Sequence, residues 1–261
     1  MFAILRQIIL RLIFWAPYSA MKKNDPSLAP LIAIIGCDGS GKSTVSGAIL
    51  DWMQGYGPAV AAHLGKQMGN IGRTIASLPL IGKLLDQFIV RKTKSTQIQR
   101  EKKTPGLFVA LVLYTFSLRR LRRFKNMMAQ RKEGFIVVTD RYPQLEFPGS
   151  YDGTGLSISA PGNFLVRWLA RRERAQCEWM TSFRPDLVIR LNVDLDTACA
   201  RKPDHRRELL RDKIAITPQL TFNGAPIVEI DSSQALPQVI EQTKAAVAKT
   251  MAARGYNLKQ A

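Results

Sequence analysis

Residues 31–44 of the chain read LIAIIGCDGSGKST, and this stretch decides the fold. It opens with five apolar residues directly after Pro30, a pattern typical of a fully buried parallel strand. The next eight residues, Gly36–Ser43, match GxxxxGK[ST], a loop that cradles phosphate between a strand and a helix. We predict a helix over residues 42–54, so the motif has the structural context that it needs.

Each position of the loop has a chemical reason. Glycines bring the backbone N–H groups close to phosphates, Lys42 reaches the β- and γ-phosphates, and the Ser43 hydroxyl binds Mg²⁺. We therefore predict binding of ATP with Mg²⁺, against the alternative of a glycine-rich turn without a ligand. The predicted ATP-binding residues are Gly36, Cys37, Asp38, Gly39, Ser40, Gly41, Lys42, Ser43 and Thr44.

Asp38 stands at a variable position of this loop. A carboxylate beside bound phosphates is electrostatically unfavourable, unless it accepts a hydrogen bond from a hydroxyl of a second substrate. We interpret Asp38 as such an acceptor-binding residue. A turn-forming aspartate without a ligand is the alternative.

A second candidate site follows another buried strand, FIVVT at residues 135–139. Asp140 and Arg141 come directly after it, and ligands of open α/β sheets bind at the carboxyl ends of strands. Asp140 would support the metal ion, and the planar guanidinium of Arg141 would bind an acceptor phosphate. A local surface ion pair is the alternative interpretation.

Apolar runs and helical patterns alternate along the rest of the chain, which predicts an α/β fold with a parallel sheet. The helix at 106–132 is expected to be buried at its apolar start and exposed over its basic stretch, Arg119–Lys125. The predicted strands are 31–35, 58–64, 135–139, 187–193 and 226–230, and the predicted helices are 42–54, most of 70–104, 106–132, 163–183, 196–213 with a break at Pro203, and 234–254; residues 143–162 are predicted to be a loop.

The composition narrows the range of partners. Thirty-eight Lys and Arg face 20 Asp and Glu, giving a formal charge of +18 that favours polyanionic partners or leaves a solvated basic surface. No nucleic-acid-binding module is recognisable, so no specific nucleic acid partner is expected. The three cysteines are widely spaced and contain no CxxC, which argues against disulfides and zinc and suits a reducing cytoplasm.

The first 20 residues are apolar but carry Arg6 and Arg11, which makes them unsuited to span a bilayer. Three interpretations stay open: an interfacial helix at the inner face of a membrane, a helix packed on the domain, or an untranslated stretch before a start at Met21. We divide the chain into an N-terminal extension and linker (residues 1–30) and one domain (residues 31–255).

Three segments together, GCDGSGKST, VVTDRY and PDLVIRLNVDLDTACAR, resemble the thymidylate kinase-like nucleotide kinases in order and separation. The resemblance covers roughly residues 31–255 and implies a three-layer P-loop kinase fold with a five-stranded parallel sheet. It also implies Mg-ATP as the donor, a phosphate or hydroxyl acceptor, and a homodimer in many members. In its terms Asp38 approaches the acceptor sugar, and Asp140 with Arg141 forms the family's Asp-Arg pair.

The same resemblance implies a cationic lid after the fourth strand. The P-loop has Gly39 and Ser40 where some members have an arginine, so lid residues would supply that charge, Arg201 first. Lys42, Asp140, Arg141 and Arg201 are thus the predicted catalytic residues. The predicted lid residues are Arg201, Lys202, Arg206 and Arg207.

Three features depart from the family's pattern: two segments of the domain, and the basic apolar N-terminus, which is foreign to soluble nucleotide kinases. Residues 63–69 (HLGKQMG) stand where thymidylate kinases have Arg-Glu-Pro-Gly, and Tyr151-Asp152-Gly153 is the nearest match to their Tyr-Gln-Gly, making Tyr151 the predicted acceptor contact. The first prediction is a kinase that converts dTMP and ATP to dTDP and ADP. Two alternatives remain: a kinase for a glycan or lipid-linked acceptor at a membrane, and a P-loop NTPase switch.

Overall fold

The computed structural model describes residues 25–65, 106–148, 151–156 and 163–259. Strands and helices alternate along these residues as the sequence predicts. The strands are β1 (Leu31–Gly36), β2 (Ala59–Ala62), β3 (Ile136–Thr139), β4 (Leu187–Asn192) and β5 (Ile227–Asp231). The helices are α1 (Lys42–Met53), α2 (Leu107–Lys132), α3 (Phe164–Thr181), α4 (Leu195–Arg201), α5 (Arg207–Ile216) and α6 (Leu236–Ala253), with a 3₁₀ turn at Thr217–Gln219.

The five strands form one parallel sheet in the order β2-β3-β1-β4-β5. In this order β1 is central, and Ala33 pairs with Thr139 of β3 on one side and with Val188 of β4 on the other. The carboxyl ends of β1, β3 and β4 therefore lie side by side, and the loops that follow them meet at one edge of the sheet.

Helices cover both faces of the sheet because successive side chains of a strand point to opposite faces. Ile32 and Ile34 of β1 pack in the core that also contains residues of α1 and α6, including Val45 and Val247. Leu31, Ala33 and Ile35 pack in the other core, with residues of α2 and α3. The predicted three-layer α/β fold with a five-stranded parallel sheet is confirmed.

The predicted helix over 196–213 is two helices, α4 and α5, and the break falls at Pro203 as expected. Asp194 caps α4 through its side chain, which accepts from Thr197 N at 2.8 Å. This break sends α5 in a new direction, back over the phosphate loop.

The expected burial of the helix at 106–132 is wrong at several positions, although Tyr114 is buried and Arg122 is exposed as expected. Phe108, near the apolar start of α2, is 47% exposed, whereas Arg120 in the basic stretch is 1% exposed. The reason is that α2 packs on α3 and the sheet through a stripe that runs the whole helix, so burial follows the helical face and not the sequence order.

Two predicted segments lie outside the described residues: the N-terminal extension over 1–20 and the helical segment over 70–104. Within the ranges that the structure describes, no helix is long and apolar enough to cross a membrane.

Candidate active site

The loop at residues 36–43 has a backbone that only glycine fits at three positions. Gly39 and Gly41 have φ angles of +89° and +78°. A Cβ atom on Gly36 would lie 2.3 Å from Ser40 Oγ, and one on Gly39 would lie 2.9 Å from the carbonyl oxygen of Ala198 in α4. The loop is therefore folded tightly on itself and on α4, with its N–H groups at the amino end of α1.

Lys42, the first residue of α1, is buried beneath the loop. Its Nζ donates to the Cys37 carbonyl oxygen at 3.0 Å and lies 3.5 Å from Asp38 Oδ1. Burial, opposed by the attraction of Asp38, lowers the pKa of the Lys42 ammonium. Ser43 and Thr44, by contrast, are exposed in the first turn of the same helix.

Asp38 lies at the centre of a cluster of cations. Lys213 Nζ contacts Asp38 Oδ2, Lys42 Nζ lies 3.5 Å from Oδ1, and Arg141 Nη2 lies 3.7 Å from Oδ1. The side chain of Asp38 is 18% exposed. Burial alone would raise the pKa of this carboxyl, but Lys213 and Lys42 outweigh burial and hold it well below its usual range.

Lys213 is a site residue that the sequence analysis missed. It belongs to α5, and the turn after this helix is fixed to the sheet by the buried Arg190 of β4, whose Nη1 donates to the Pro218 carbonyl oxygen at 3.0 Å. The only sequence signal was its place in the basic segment after the fourth strand, and the lid prediction stopped at Arg207.

Arg141 connects the phosphate loop to the loop at residues 151–156. Its Nη1 donates to Asp152 Oδ2 at 3.4 Å, while its Nη2 faces Asp38. Asp152 most strongly, and Asp38 less so, raise the pKa of the Arg141 guanidinium, whereas burial lowers it. The structure thus brings together Asp38, Arg141 and the Tyr151–Gly153 segment, three predicted acceptor elements.

Asp140, at the end of β3, contacts His63, at the end of β2. The His63 Nδ1 and Asp140 Oδ2 atoms are 2.8 Å apart. The other carboxylate oxygen, Asp140 Oδ1, is buried and has no hydrogen-bond partner among the described residues. An orphaned carboxylate oxygen at this edge suits a hydrated cation.

The loop at residues 151–156 is held between α2 and α3. Tyr151 and Asp152 have left-handed backbones, with φ angles of +44° and +64°. The buried Glu173 of α3 accepts from the N–H groups of Gly155 and Leu156 at 2.9 and 2.7 Å. These contacts hold the loop at residues 151–156 as a wall beside Arg141. The sequence of this loop carries few signals of local structure.

Arg120 of α2 completes this wall. Its Nη1 donates to the carbonyl oxygen of Asp152, yet its Nε and Nη2 are buried with no partner in the part of the chain that the structure describes. A buried guanidinium with two unused N–H donors is costly unless an anion completes it. The sequence analysis had placed Arg120 on an exposed surface.

The four predicted lid residues lie at the end of α4, in the turn after it and at the start of α5, and one of them, Arg201, contacts the phosphate loop. Arg201 Nη1 donates to the carbonyl oxygens of Gly39 at 3.3 Å and Ser232 at 2.9 Å, so it supports the loop backbone. Arg207 Nη2 donates to Asp196 Oδ1 at 2.6 Å. Lys202 and Arg206 are exposed.

Magnesium would be held by few protein ligands. The described ranges contain no group of three or more His, Cys, Asp or Glu residues that could bind a metal ion. The predicted pair, Ser43 and Asp140, offers an exposed hydroxyl and the orphaned Oδ1, and Mg²⁺ in nucleotide sites keeps waters and phosphates as its other ligands. The residues present therefore fit a nucleotide-borne Mg²⁺.

The sheet order and the loop after β1 define a P-loop protein with a kinase-like α/β fold. Two curated proteins of Escherichia coli (strain K12) are similar over most of this chain. "Uncharacterized ATP-binding protein YghS" is 40% identical over 219 residues, 83% of this chain and 92% of the relative. "Uncharacterized ATP-binding protein YghR" is 38% identical over 225 residues, 85% of this chain and 89% of the relative. The chain belongs to the family of these two proteins; no family model matches it.

Proposed function

We propose that this protein is an ATP-dependent phosphotransferase that moves the γ-phosphoryl group of ATP to a small acceptor. The observation that carries the proposal is the position of Asp38, which lies in the phosphate loop and contacts Lys42, Arg141 and Lys213. Phosphoryl transfer depends chiefly on positioning and on neutralising charge, and this cluster offers three cations at one point.

Support for the donor comes from two sides. The loop geometry and the buried Lys42 suit a bound triphosphate, and the relatives YghS and YghR are named ATP-binding proteins. ATP would lie with its phosphates on residues 36–44. Ser43 and Asp140 would hold Mg²⁺, which would supply positive charge against the phosphates.

Support for the acceptor comes from the other side of Asp38. Arg141 and Arg120 line the wall formed by residues 151–156, and the unused donors of Arg120 suit a phosphate group. A nucleoside monophosphate is therefore the first acceptor class, with dTMP first because of the resemblance to thymidylate kinase-like enzymes. Tyr151, which is half-buried against the apolar core, would contact its base or sugar.

In the proposed reaction an acceptor phosphate oxygen attacks the γ-phosphorus from the side of Arg141. The bond between this phosphorus and the β–γ bridging oxygen breaks, and ADP leaves with the electron pair of that bond. Lys42 and Lys213 stabilise the negative charge on the transferring group and the leaving oxygen. Asp38 releases Lys213 to the phosphoryl group and accepts a hydrogen bond from an acceptor hydroxyl.

A second acceptor class is supported by His63. This residue begins the segment that replaces the family's Arg-Glu-Pro-Gly, and Asp140 orients its ring at 2.8 Å. A hydroxyl acceptor must lose a proton on transfer, whereas a phosphate acceptor need not. An alcohol of a glycan or a lipid-linked molecule is therefore the alternative acceptor.

The test is a transfer assay with Mg-ATP, a panel of nucleosides and nucleoside monophosphates, and a small-molecule extract of cells. We expect ADP to form in equal amount with one phosphorylated acceptor, and Lys42→Ala to remove both products. ADP formation matched by free phosphate with every acceptor would overturn the proposal and favour an NTPase switch. A phosphorylated alcohol in place of a diphosphate would select the second acceptor class.

A further inference from the structure

The start of α2 and the start of α3 share an unusual surface. Seven large hydrophobic side chains among the described residues are more than a third exposed, and five of them lie in the first turns of these two helices. Phe164, the first residue of α3, is 67% exposed. The five are Leu107 (38%), Phe108 (47%), Leu111 (37%), Phe164 (67%) and Leu165 (47%).

These residues form one surface because α2 and α3 pack side by side in the same direction. Ser117 Oγ donates to Gln176 Oε1 at 3.0 Å, and Gln176 Nε2 donates to the Tyr114 hydroxyl at 2.9 Å. Nearer the amino ends, Ala110 and Val166 belong to one apolar cluster. The exposed residues of both helices therefore lie at the same end of the pair.

Exposed arginines lie directly behind this apolar end. In α3, Arg167 and Arg171 follow Phe164 by about 5 and about 10 Å along the helix axis. The acidic residues of α3 do not balance them, because Glu173 is buried against the 151–156 loop and Glu178 pairs with Arg174. Arg167 and Arg171 are both exposed, so their charges face solvent at this end of α3.

Apolar tips with arginines a few ångströms behind them match the layers of an anionic bilayer surface. Apolar side chains at such a surface enter the boundary of the acyl chains by about 5–10 Å, and cations at that depth contact phosphate headgroups. We propose that the amino ends of α2 and α3 form a membrane-contact surface that binds anionic lipid headgroups. Its apolar part is the five residues named above, and its cationic part is Arg167 and Arg171.

This surface lies at the same end of the molecule as the candidate active site. Both helices lead into strands that run the opposite way, so their amino ends lie toward the carboxyl edge of the sheet. Farther along α2, Arg123 Nη1 donates to the His63 carbonyl oxygen at 3.0 Å. Membrane contact does not rest on phosphoryl transfer, but it would turn the acceptor side of the site toward the lipid.

The test is sedimentation of the full chain with vesicles of phosphatidylcholine alone and of phosphatidylcholine with 30% phosphatidylglycerol, without nucleotide. We expect binding to the anionic vesicles only. The variant Phe164→Ser/Leu165→Ser should lower the partition coefficient by about tenfold or more. The variant Arg167→Gln/Arg171→Gln should lower it by about 25-fold, since each cation contributes roughly fivefold at low salt.

The matched control is Leu236→Ser/Leu258→Ser, which removes two similarly exposed leucines elsewhere on the surface. It should bind vesicles like the unmodified chain. Equal loss in this control, or full binding by the Phe164/Leu165 variant, would overturn the proposal. So would binding that disappears only when residues 1–20 are removed, or a dimer in solution that the Phe164/Leu165 variant breaks while neither protein binds vesicles.

Discussion

Lys213 contacts Asp38 across 175 residues of sequence and thereby ties α5 to the phosphate loop. The Asp38 carboxylate supplies the negative charge among the cations of Lys213, Lys42 and Arg141. In a nucleotide complex, phosphate groups would supply that charge. The ion pair therefore holds α5 over the phosphate loop and keeps the Lys213 ammonium next to the candidate reaction centre.

Lys213 should matter more for transfer than the arginines of the predicted lid. Replacement by methionine should lower kcat by about 10²–10³-fold, the usual effect of losing one group that stabilises transition-state charge, and change ATP affinity far less. Lys213→Arg should recover part of the rate. Steady-state kinetics with the acceptor found in the transfer assay measure both effects.

Arg211→Met is the matched control, because Arg211 is exposed on the same helix and no partner for it is recorded among the described residues. It should leave kcat unchanged. An equal loss of rate in both variants would mean that charge on α5, and not contact with Asp38, affects the reaction.

The Asp38→Asn substitution should lower the free energy of unfolding of the protein without ATP and raise its affinity for ATP. Without the carboxylate, three neighbouring cations repel one another, at a cost of about 1–3 kcal/mol in the free energy of unfolding. ATP supplies the missing negative charge, so the rise in Tm on adding ATP should be larger in this variant than in the unmodified chain. Thermal unfolding with and without ATP tests this, and Asp212→Asn, an exposed carboxamide change on α5, is the control.

The same carboxyl predicts a pH dependence of stability. Its pKa in the folded protein lies below the ordinary value of 3.8, so its contribution is fully present above that value and is lost as the pH falls below it. The difference in unfolding free energy between the unmodified chain and Asp38→Asn should therefore not decrease between pH 8 and pH 5, and it should shrink below about pH 4. Denaturant titrations across this range measure it; a difference that shrinks already near pH 6 would contradict the depressed pKa.

The sheet could be predicted from the sequence because its strands carry their own signals. The apolar runs that became β1 and β3 are short, bounded by turn residues and followed by polar motifs, and Pro203 marked the break between α4 and α5. These are local features, and local features decide the alternation of strands and helices.

The positions of candidate site residues could be predicted only where the motifs are local. Residues 36–44 and the Asp140-Arg141 pair follow strands directly, so their positions could be inferred from the order of elements. Lys213 and Arg120 have no such signal, because their partners, Asp38 and Asp152, come from distant segments. The basic stretch of α2 looked uniformly exposed in sequence, and only the packing of α2 on α3 separates the buried Arg120 from the exposed Arg119 and Arg122.

The Arg120→Met substitution should distinguish a role of Arg120 in stability from a role in anion binding. A buried guanidinium with two unused donors is a poor contributor to stability, so an apolar side chain of similar length should leave Tm unchanged or raise it by a few degrees. If Arg120 binds the acceptor phosphate, the variant should also lose at least tenfold in acceptor affinity, with ATP affinity kept. Pyrophosphate and inorganic phosphate serve as probes in thermal unfolding before the acceptor is known.

Arg119→Met, one position away and exposed, is the control for that variant and should change neither quantity. A strong fall in Tm for Arg120→Met would show that the hydrogen bond to the Asp152 carbonyl, and not the unused donors, is the role of this residue.

The phosphate loop can be tested through its glycines. Gly36→Ala would place a methyl group 2.3 Å from Ser40 Oγ and 2.8 Å from the Leu191 carbonyl oxygen, so the loop must shift away from β4. We expect ATP affinity to fall by at least tenfold, measured by calorimetry, because the N–H groups lose their common direction.

Gly47→Ala is the matched control: it lies in α1 with no atom within 4 Å of the new methyl group. It should keep ATP affinity and raise the unfolding free energy by about 0.5–1 kcal/mol, because alanine favours a helix over glycine. If Gly36→Ala bound ATP as well as Gly47→Ala does, the tight loop seen here would not be the nucleotide-binding conformation.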